Sequence, residues 1–459
     1  MTEILALLQS IAPLISKTTL RQMSQVIFGM LAASGRITML GLSRWTEKGG
    51  SYRTIQRFYA SELLWKGLHW LCFRVHLLKP SDPHFIAGDE VVASKAGQGT
   101  YGLDRFFSGI QQRVIPGLSF FTFLLVNVKE ERSYPLQVTQ VVRSAEEKTA
   151  SQARAEAKKT AAKTAEKRKR GRPKGSKNKS KREVTLSPEL LSIQTALKSL
   201  LETIGNAVPL TYVALDGHFG NYPSASMVRQ TGLHLISKMR SDAALFLPFE
   251  GEHTKRGPKP RCGDKIDVRN MDSKYLQKSA VEDNLRTDIY QGQFFNKEFD
   301  FPLNAVIIVK TNLKTSAQAH VILFSTDLEQ PYDQIIQFYS LRFQIEFNAR
   351  DAKQYWGLED FMNVKQTAVT NAANLSLFMV NFSTALAEPF RKHNPDFSVL
   401  DLKSRYRGYR YASETIKMLP HIVPMPFREK PDGILLAEIF QQIARLGAIH
   451  TVSQPISSQ

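Results

Sequence analysis

The chain has 459 residues, of which 42% are hydrophobic, and this is enough for two or three domains with at least one substantial core. Its 61 Lys and Arg residues against 42 Asp and Glu give a net charge of +19, which indicates a polyanionic partner, most often nucleic acid, with an anionic membrane surface as the alternative. No apolar run reaches the roughly 20 residues that span a bilayer, and the start "MTEILALLQSIAPLIS" lacks the marks of a secretory signal, so a cytoplasmic location is expected.

The two cysteines give no sign of a metal site or a disulfide. Cys72 and Cys262 lie far apart, and neither belongs to a Cys-x-x-Cys pair or stands beside a metal-spaced His. Both are predicted to be ordinary thiols.

Residues 1–80 are predicted to form a helical DNA-binding domain. The segments "LRQMSQVIFGMLAASG", "RITMLGLSRW" and "SYRTIQRFYASELLW" have helical periodicity and are joined by tight turns. Ser51 is placed to N-cap the third helix. Arg53 and Arg57 then lie on its exposed side, where a DNA-recognition helix holds such residues. An ordinary solvated face is the alternative, and this short pattern leaves both open.

From His84 onward the pattern changes to strands. The segments "HFIAGDEVVAS", "LSFFTFLLVNVKE", "SYPLQVTQVVR", "PLTYVALDGHFGN" and "LHLISKMR" are typical of strands, and the helix "SPELLSIQTALKSLLETIG" lies between them. Strand-rich segments with interposed helices predict a mixed α/β core, with a first part at 81–143 and a second part at 184–247.

A basic arm, residues 144–183, separates these two parts of the core. It holds 15 Lys and Arg against 5 Asp and Glu, which is more than half of the charge excess of the chain. It has almost no aliphatic bulk beyond Ala, so it is predicted to be flexible when free. Its Gly171–Pro173 segment resembles an AT-hook, in which Arg170 and Arg172 would enter the minor groove of A·T-rich DNA. A solubilising or RNA-binding tail is the alternative.

The second half of the chain divides into three predicted segments. Residues 248–317 indicate a β-rich insertion, because they are rich in Gly, Pro and charge and then alternate, as in "QFFNKEFDFPLNAVIIVKTN". Residues 318–380 supply the third part of the core, in which Pro331 opens a long helix. Residues 381–459 are predicted to form a helical C-terminal region, which includes "ILLAEIFQQIARLG".

The predicted helix after Pro331 carries four polar side chains in one stripe. They are spaced by three, four and seven residues, which places them within roughly 60° of one another around an α-helix. The four residues are Tyr339, Arg342, Glu346 and Lys353. The alternative is an ion pair of Arg342 with Glu346 on a solvated face, which would contribute only about 0.3 kcal/mol.

Three carboxylates stand out by position. Asp89 ends the predicted strand "HFIAGDE", Asp216 ends "TYVALD", and Glu346 lies in the stripe. A carboxylate at the end of a buried strand costs desolvation free energy, which a bound metal ion offsets. For any one acid taken alone, the alternative is an ordinary turn or capping residue. Two Mg²⁺ ions about 4 Å apart, held by three such acids, suit phosphodiester chemistry. Glu90 and Asp351 fit less well, because each is predicted to point away from its neighbouring candidate.

These residues resemble the motifs of a known enzyme group. One pattern looks like the Tyr-Arg-Glu-Lys signature of DDE-type insertion-sequence transposases in the insertion sequence four group. It consists of Tyr339, Arg342, Glu346 and Lys353. The stretches "AGDEVVASKAGQGTYGLDRFFSG" around Asp89 and "VALDGHFGN" around Asp216 are similar to the first and second aspartate motifs of that group. The resemblance covers roughly residues 20–380.

The resemblance implies an RNase H-like mixed-sheet core in a DNA transposase that binds terminal inverted repeats and carries out cut-and-paste transposition. Two catalytic Mg²⁺ ions, for which Mn²⁺ substitutes, would be bound by Asp89, Asp216 and Glu346. The phosphates of the transposon end would be contacted by Tyr339, Arg342 and Lys353. The protein would act as a homodimer on paired ends, associated with the nucleoid of a prokaryotic host.

One feature of the sequence departs from that group. Members that excise through a DNA hairpin stack a flipped base on a Trp of the β-rich insertion, whereas residues 248–317 hold no Trp and the nearest is Trp356. Two other functions also stay open at the level of sequence. They are a domesticated DNA-binding protein that has kept the fold without the reaction, and an RNase H-like nuclease without strand transfer.

Overall fold

The computed structural model describes residues 2–46, 49–109, 111–144, 184–251 and 259–422, with isolated residues between 146 and 157, and side chains up to residue 416. Most of the basic arm, including Arg170 and Arg172, and the end of the predicted C-terminal region lie outside these ranges. Within them, no helix combines the length and the hydropathy that crossing a bilayer requires. Cys72 and Cys262 are both free thiols, as predicted.

The N-terminal segment is helical, as expected. Its helices are α1 (Thr2–Leu8), α2 (Lys17–Ala32), α3 (Met39–Trp45), α4 (Tyr52–Ala60) and α5 (Trp65–His76). Ser51 caps α4 as predicted, because its Oγ accepts a hydrogen bond from the Thr54 N–H at 3.3 Å. The third predicted helix is divided into α4 and α5, and the Asn371 side chain donates to the Tyr59 and Ser61 carbonyls where α4 ends.

The central segment forms the mixed sheet that the sequence predicts. Its elements are β1 (His84–Ser94), β2 (Asp104–Ser108), β3 (Arg113–Asn127), β4 (Arg132–Val141), α6 (Pro188–Ile204), β5 (Tyr212–Leu215), α7 (Tyr222–Arg229) and β6 (His234–Lys238). Strands β1, β3 and β4 pair antiparallel, and β1, β5 and β6 pair parallel. The strand order β4-β3-β1-β5-β6 is consistent with an RNase H-like fold.

The predicted insertion is rich in strands, and it extends the central sheet. Strand β7 (Leu245–Pro248) leads into it, its own strands are β8 (Cys262–Lys265), β9 (Leu276–Glu282), β10 (Leu285–Asn296) and β11 (Leu303–Asn312), and β12 (Gln318–Ser325) follows. β11 pairs with β12, which in turn pairs with β6, so the described strands form one twelve-stranded sheet. Asp283 and Asn284 have φ values of 48° and 62°, which makes the tight turn between β9 and β10.

Helices cover both faces of this sheet. The remaining helices are α8 (Tyr332–Leu341), α9 (Gln344–Gln354), α10 (Gln366–Arg391) and α11 (Val399–Ile422). Along β1, Ile86 faces the core beneath α6, and Phe85 faces the core beneath α8. Burial on both faces explains why the first half of β1 is almost uniformly apolar.

The N-terminal and C-terminal helices share one hydrophobic core. That core joins residues of α2, α4 and α5 to residues of α10, α11, β1 and β3. The Lys403 ammonium donates to the Met30 carbonyl at 2.6 Å, and Arg407 donates to the Ala32 and Ala33 carbonyls, so α11 caps the C-terminal end of α2. The predicted boundary at residue 80 therefore does not coincide with a break in the hydrophobic packing.

We expect α8 to depend on one aromatic stack. The buried Phe338 ring stacks on Phe85 with centroids 4.5 Å apart, so Phe338→Ala should lower the free energy of unfolding by about 3–4 kcal/mol, measured by urea unfolding. The control is Phe107→Ala, at a Phe that is 58% exposed, which should change it by less than about 0.5 kcal/mol. Equal effects of the two substitutions would contradict the assignment.

Candidate active site

Two of the predicted carboxylates lie side by side in the sheet. The parallel pairing of β1 with β5 ends at Gly88 opposite Leu215, so the next residues, Asp89 and Asp216, are neighbours. The prediction that Asp89 ends its strand is wrong, because β1 continues to Ser94 through its pairing with β3. Asp89 instead marks the point where the parallel partner stops and the sheet opens.

Asp216 is held by the tight turn that follows β5. Its side chain accepts a hydrogen bond from the His218 N–H at 3.0 Å, and its carbonyl accepts one from the Ser237 hydroxyl at 2.7 Å. The turn runs so close to β6 that a Cβ on Gly220 would lie 2.1 Å from the Lys238 carbonyl oxygen. Glycine is therefore required for Asp216 to stay at the strand end.

The signature stripe does not lie on one continuous helix, and that prediction is wrong. Helix α8 ends at Leu341, α9 begins at Gln344, and Arg342 and Phe343 form a joint between them. The joint keeps helical dihedral angles but is tightened by i→i+3 hydrogen bonds from the Ile345 and Glu346 N–H groups. Tyr339 thus belongs to α8, and Glu346 and Lys353 belong to α9.

One large cleft has all three candidate acids on its wall. The cleft has a volume of about 2200 Å³, and the candidate residues on its wall are Asp89, Asp216, Glu346 and Lys353. Tyr339 and Arg342 lie behind this wall. The Arg342 Nη1 donates to Asp89 Oδ2 at 2.7 Å, and the guanidinium lies over the Tyr339 ring, 5.4 Å from its centroid.

Lys353 occupies the rim of the cleft. Its ammonium donates to the Val92 carbonyl at 2.6 Å and forms an ion pair with Glu359 at 3.2 Å. These contacts fasten α9 to β1. The predicted phosphate contact of Lys353 stays a prediction, although the residue does lie on the same cleft as the acids.

Comparison with known protein families decides the class of protein. A family model described as DDE superfamily endonuclease matches residues 10–292, which is more than half of the chain. The chain belongs to the DDE superfamily endonucleases. No curated protein matches it. As a DDE endonuclease it is a nuclease or transposase that acts on DNA. The matched range contains Asp89 and Asp216 but ends before Glu346, so Glu346 as a site residue stays a prediction.

The two aspartates of this DDE endonuclease lie close enough for their charges to interact. The pKa of Asp89 is raised to about 6, chiefly by burial, while the charge of Arg342 lowers it and the charge of Asp216 raises it by smaller amounts. Burial also raises the pKa of the Tyr339 hydroxyl, which lies close enough to both aspartates to be affected by their charges. A positive charge placed between the two aspartates would relieve this repulsion.

The carboxylates of Asp89 and Asp216 are chemically suited to bind a divalent metal ion. Carboxylate oxygens are the ligands that Mg²⁺ prefers, and paired Asp89 and Asp216 supply them at one place. Within the described residues, however, no three His, Cys, Asp or Glu side chains are gathered closely enough to hold an ion as they stand. Glu346 lies on the same cleft without completing the cluster.

The cleft also contains residues that the sequence did not single out. Phe343 and Phe347 lie on its wall beside Glu346, and they are 48% and 39% exposed with their rings in edge contact. The Arg350 guanidinium lies over the Phe347 ring, 5.0 Å from its centroid. The spacing of Phe343, Phe347 and Arg350 around Glu346 is the sequence signal that would have found them. Glu90, predicted on the opposite side of its strand from Asp89, lies near Ile193 and Ala196 of α6 and also lines the same cleft as Asp89.

Two further predicted DNA contacts, Arg53 and Arg57, are not part of the cleft wall. Arg53 and Arg57 are exposed on α4, together with Tyr52 and Gln56, so this face is available to a partner. Its role in DNA recognition stays a prediction.

The raised pKa of Asp89 predicts a pH dependence of stability. The folded state holds the Asp89 proton more tightly than the unfolded state, for which the pKa is near 3.8. This stabilises the fold at low pH and is lost as pH rises through about 6. The free energy of unfolding of Asp89→Asn, minus that of wild type, should therefore rise by about 1–3 kcal/mol as the pH rises from about 4 to about 7 in a chelating buffer. Urea unfolding at several pH values measures this difference. A difference that does not change with pH would show that folding does not raise the pKa of Asp89.

Proposed function

We propose that this DDE endonuclease is a DNA transposase of the insertion sequence four group, which binds the terminal inverted repeats of its element and catalyses cut-and-paste transposition. The observation that carries the proposal is the pair Asp89 and Asp216 at the open end of two parallel strands, with Glu346 on the same cleft. The order Asp, Asp, Glu along the chain agrees with the signature in the sequence.

The chemistry proposed for this site is two-metal phosphoryl transfer. Bound Mg²⁺, or Mn²⁺ in its place, would supply an activated water and then an activated 3′-hydroxyl, and would stabilise the leaving oxygen. Asp89, Asp216 and Glu346 would hold the ions through their carboxylates. The raised pKa of Asp89 supports this assignment, because a divalent cation offsets both its burial and the nearby charge of Asp216.

DNA would enter the cleft beside Lys353, which lies on the same wall as Glu346. Acids outnumber basic side chains on this wall, and bound metal ions would offset their charge towards DNA. Tyr339 and Arg342 complete the set proposed to contact the phosphates of the transposon end, and Arg342 donates the paired N–H groups that suit phosphate best. The exposed face of α4 would read the end sequence, and Arg170 and Arg172 of the basic arm would grip the minor groove.

The proposed assembly is a homodimer that pairs two transposon ends. Its support is the resemblance of the signature to that of insertion-sequence transposases. Simultaneous binding of two ends would couple cleavage at one end to cleavage at the other.

We expect the three carboxylates to be needed for cleavage and not for DNA binding. In Mg²⁺, Asp89→Asn, Asp216→Asn and Glu346→Gln should each lower cleavage at least about a hundredfold, because each removes a metal ligand. Gel-shift affinity for the same DNA, measured without divalent metal, should not fall by more than about threefold. The substrate is a DNA fragment that carries the gene with its flanks, and products are read on a denaturing gel.

Asp351→Asn is the matched control, because Asp351 is an acid of the same helix that pairs with Arg350 and lies off the cleft wall. It should cleave like wild type. Near-normal cleavage by one of the three site variants would remove that residue from the site. Cleavage by wild type without joining of a 3′-hydroxyl end to target DNA would identify a nuclease, and specific binding without any cleavage would identify a DNA-binding protein that has lost the reaction.

We expect the basic arm to contribute affinity and not catalysis. Deleting residues 144–183 removes 15 Lys and Arg, so DNA binding should weaken. The slope of log K against log salt should fall by about 0.9 for each DNA phosphate that the arm neutralises in the full-length protein. Cleavage at saturating protein should survive. Binding that is unchanged across several salt concentrations would mean that the arm serves another partner.

A further inference from the structure

The buried ion pair at Asp89 has a consequence for metal binding. The Arg342 and Asp89 side chains are only 12% and 24% exposed, and they meet at 2.7 Å. The other Asp89 oxygen, Oδ1, accepts a hydrogen bond from the Glu90 N–H at 2.8 Å. Both oxygens of the first proposed metal ligand are therefore engaged by the protein itself.

The guanidinium of Arg342 has a hydrogen-bond donor without an acceptor in this position. Its Nε is buried and has no hydrogen-bond partner within the described part of the chain. A guanidinium has five N–H donors, and a buried donor without a partner is unfavourable. The residue also lies at the joint between α8 and α9, where its own N–H is bonded to the Phe338 carbonyl and the i→i+4 series gives way to i→i+3 bonds.

The Arg342 guanidinium and a metal ion would compete for the same carboxylate oxygen, Asp89 Oδ2. Both are cations that bind the lone pairs of Asp89 Oδ2, and at such short range in a buried site they repel each other strongly. An ion that binds Asp89 therefore weakens the contact with Arg342. The released guanidinium retains its unpaired donors and needs an anion close by.

We propose that Arg342 and a divalent metal ion exchange at Asp89, and that the exchange frees Arg342 to bind a phosphate of the DNA strand in the cleft. Arg342 is then an internal counterion in the metal-free protein and a DNA ligand in the metal-bound one. This rests on the proposed function, because it takes Asp89 as a metal ligand. By linkage, metal and DNA must each raise the affinity for the other by the same factor.

The first test measures metal binding without DNA. Mn²⁺ binding to the full-length protein is measured by electron paramagnetic resonance of the free ion for wild type, Arg342→Gln and Arg350→Gln. Arg342→Gln should bind Mn²⁺ about tenfold more tightly than wild type, which corresponds to about 1.4 kcal/mol. Arg350→Gln removes a charge from the same cleft without touching Asp89, and it should change the affinity less than about threefold. Equal or weaker binding by Arg342→Gln would overturn the exchange.

The second test measures the coupling between metal and DNA. The probe is a short generic DNA duplex with a free 3′-hydroxyl, and Ca²⁺ serves as the metal so that the DNA stays uncut. Ca²⁺ should raise the DNA affinity of wild type, and the gain should be at least about threefold smaller in Arg342→Gln than in Arg350→Gln. An equal gain in the two variants would overturn the proposal. If Arg342→Gln does not fold, the wild-type protein decides the question. A wild-type Mn²⁺ affinity that does not change when DNA is added would exclude the coupling.

Asp89→Asn separates this proposal from the one on which it rests. If Asp89→Asn binds Mn²⁺ as wild type does, Asp89 is no metal ligand and the proposed function loses its site. If Asp89→Asn loses Mn²⁺ binding but Arg342→Gln binds it as wild type does, the site stands and only the exchange is wrong.

Discussion

The parallel pairing of β1 with β5 is the constraint on which the candidate site depends. Because the two strands are in register up to Gly88 and Leu215, the residues that follow are forced side by side, and both are aspartates. Two carboxylates held together in a half-buried place need positive charge. Arg342 supplies it from the joint between α8 and α9, and it reaches Asp89 only because the Phe338 and Phe85 rings hold α8 against the sheet.

The helices outside the sheet fix the rim of the cleft. Trp356 follows α9 and is almost fully buried, and its carbonyl accepts a hydrogen bond from Ser376 of α10. The Lys403 ammonium lies 5.0 Å from the centre of the Trp356 ring, which ties α11 to the same point. The segment after α9 is thus anchored by α10 and α11, and Glu359 in this segment forms an ion pair with Lys353.

Much of the architecture follows from local sequence pattern. Strands β1, β3, β4, β5 and β6 and the Ser51 cap are each set by a few neighbouring residues and agree with the prediction, whereas β2 and the position of Asp89 inside β1 do not follow from it. The helix joint was not, because Arg342 and Phe343 have helical dihedral angles and no Pro or Gly marks the change.

Most contacts between distant parts of the chain do not follow from the sequence pattern. Arg342 and Asp89 are separated by 253 residues, and β12 and β6 pair across the whole insertion. The shared core of the N-terminal and C-terminal helices is equally non-local. Periodicity reports how one element is buried and does not report which element buries it, so the pairing of the acid with its counterion required the structure.

The continuity of the sheet decides how this protein can be rebuilt. Because β12 pairs with β6 through Leu323–Ser325 and with β11 along its whole length, the insertion and the core are one hydrogen-bonded ladder. Cutting the insertion out would leave β12 without its β11 partner, and an exposed strand edge invites pairing with another chain and aggregation. A chimaera with a related enzyme must therefore exchange β10, β11 and β12 together and match the register at β6, since this part of the protein is not a removable cassette.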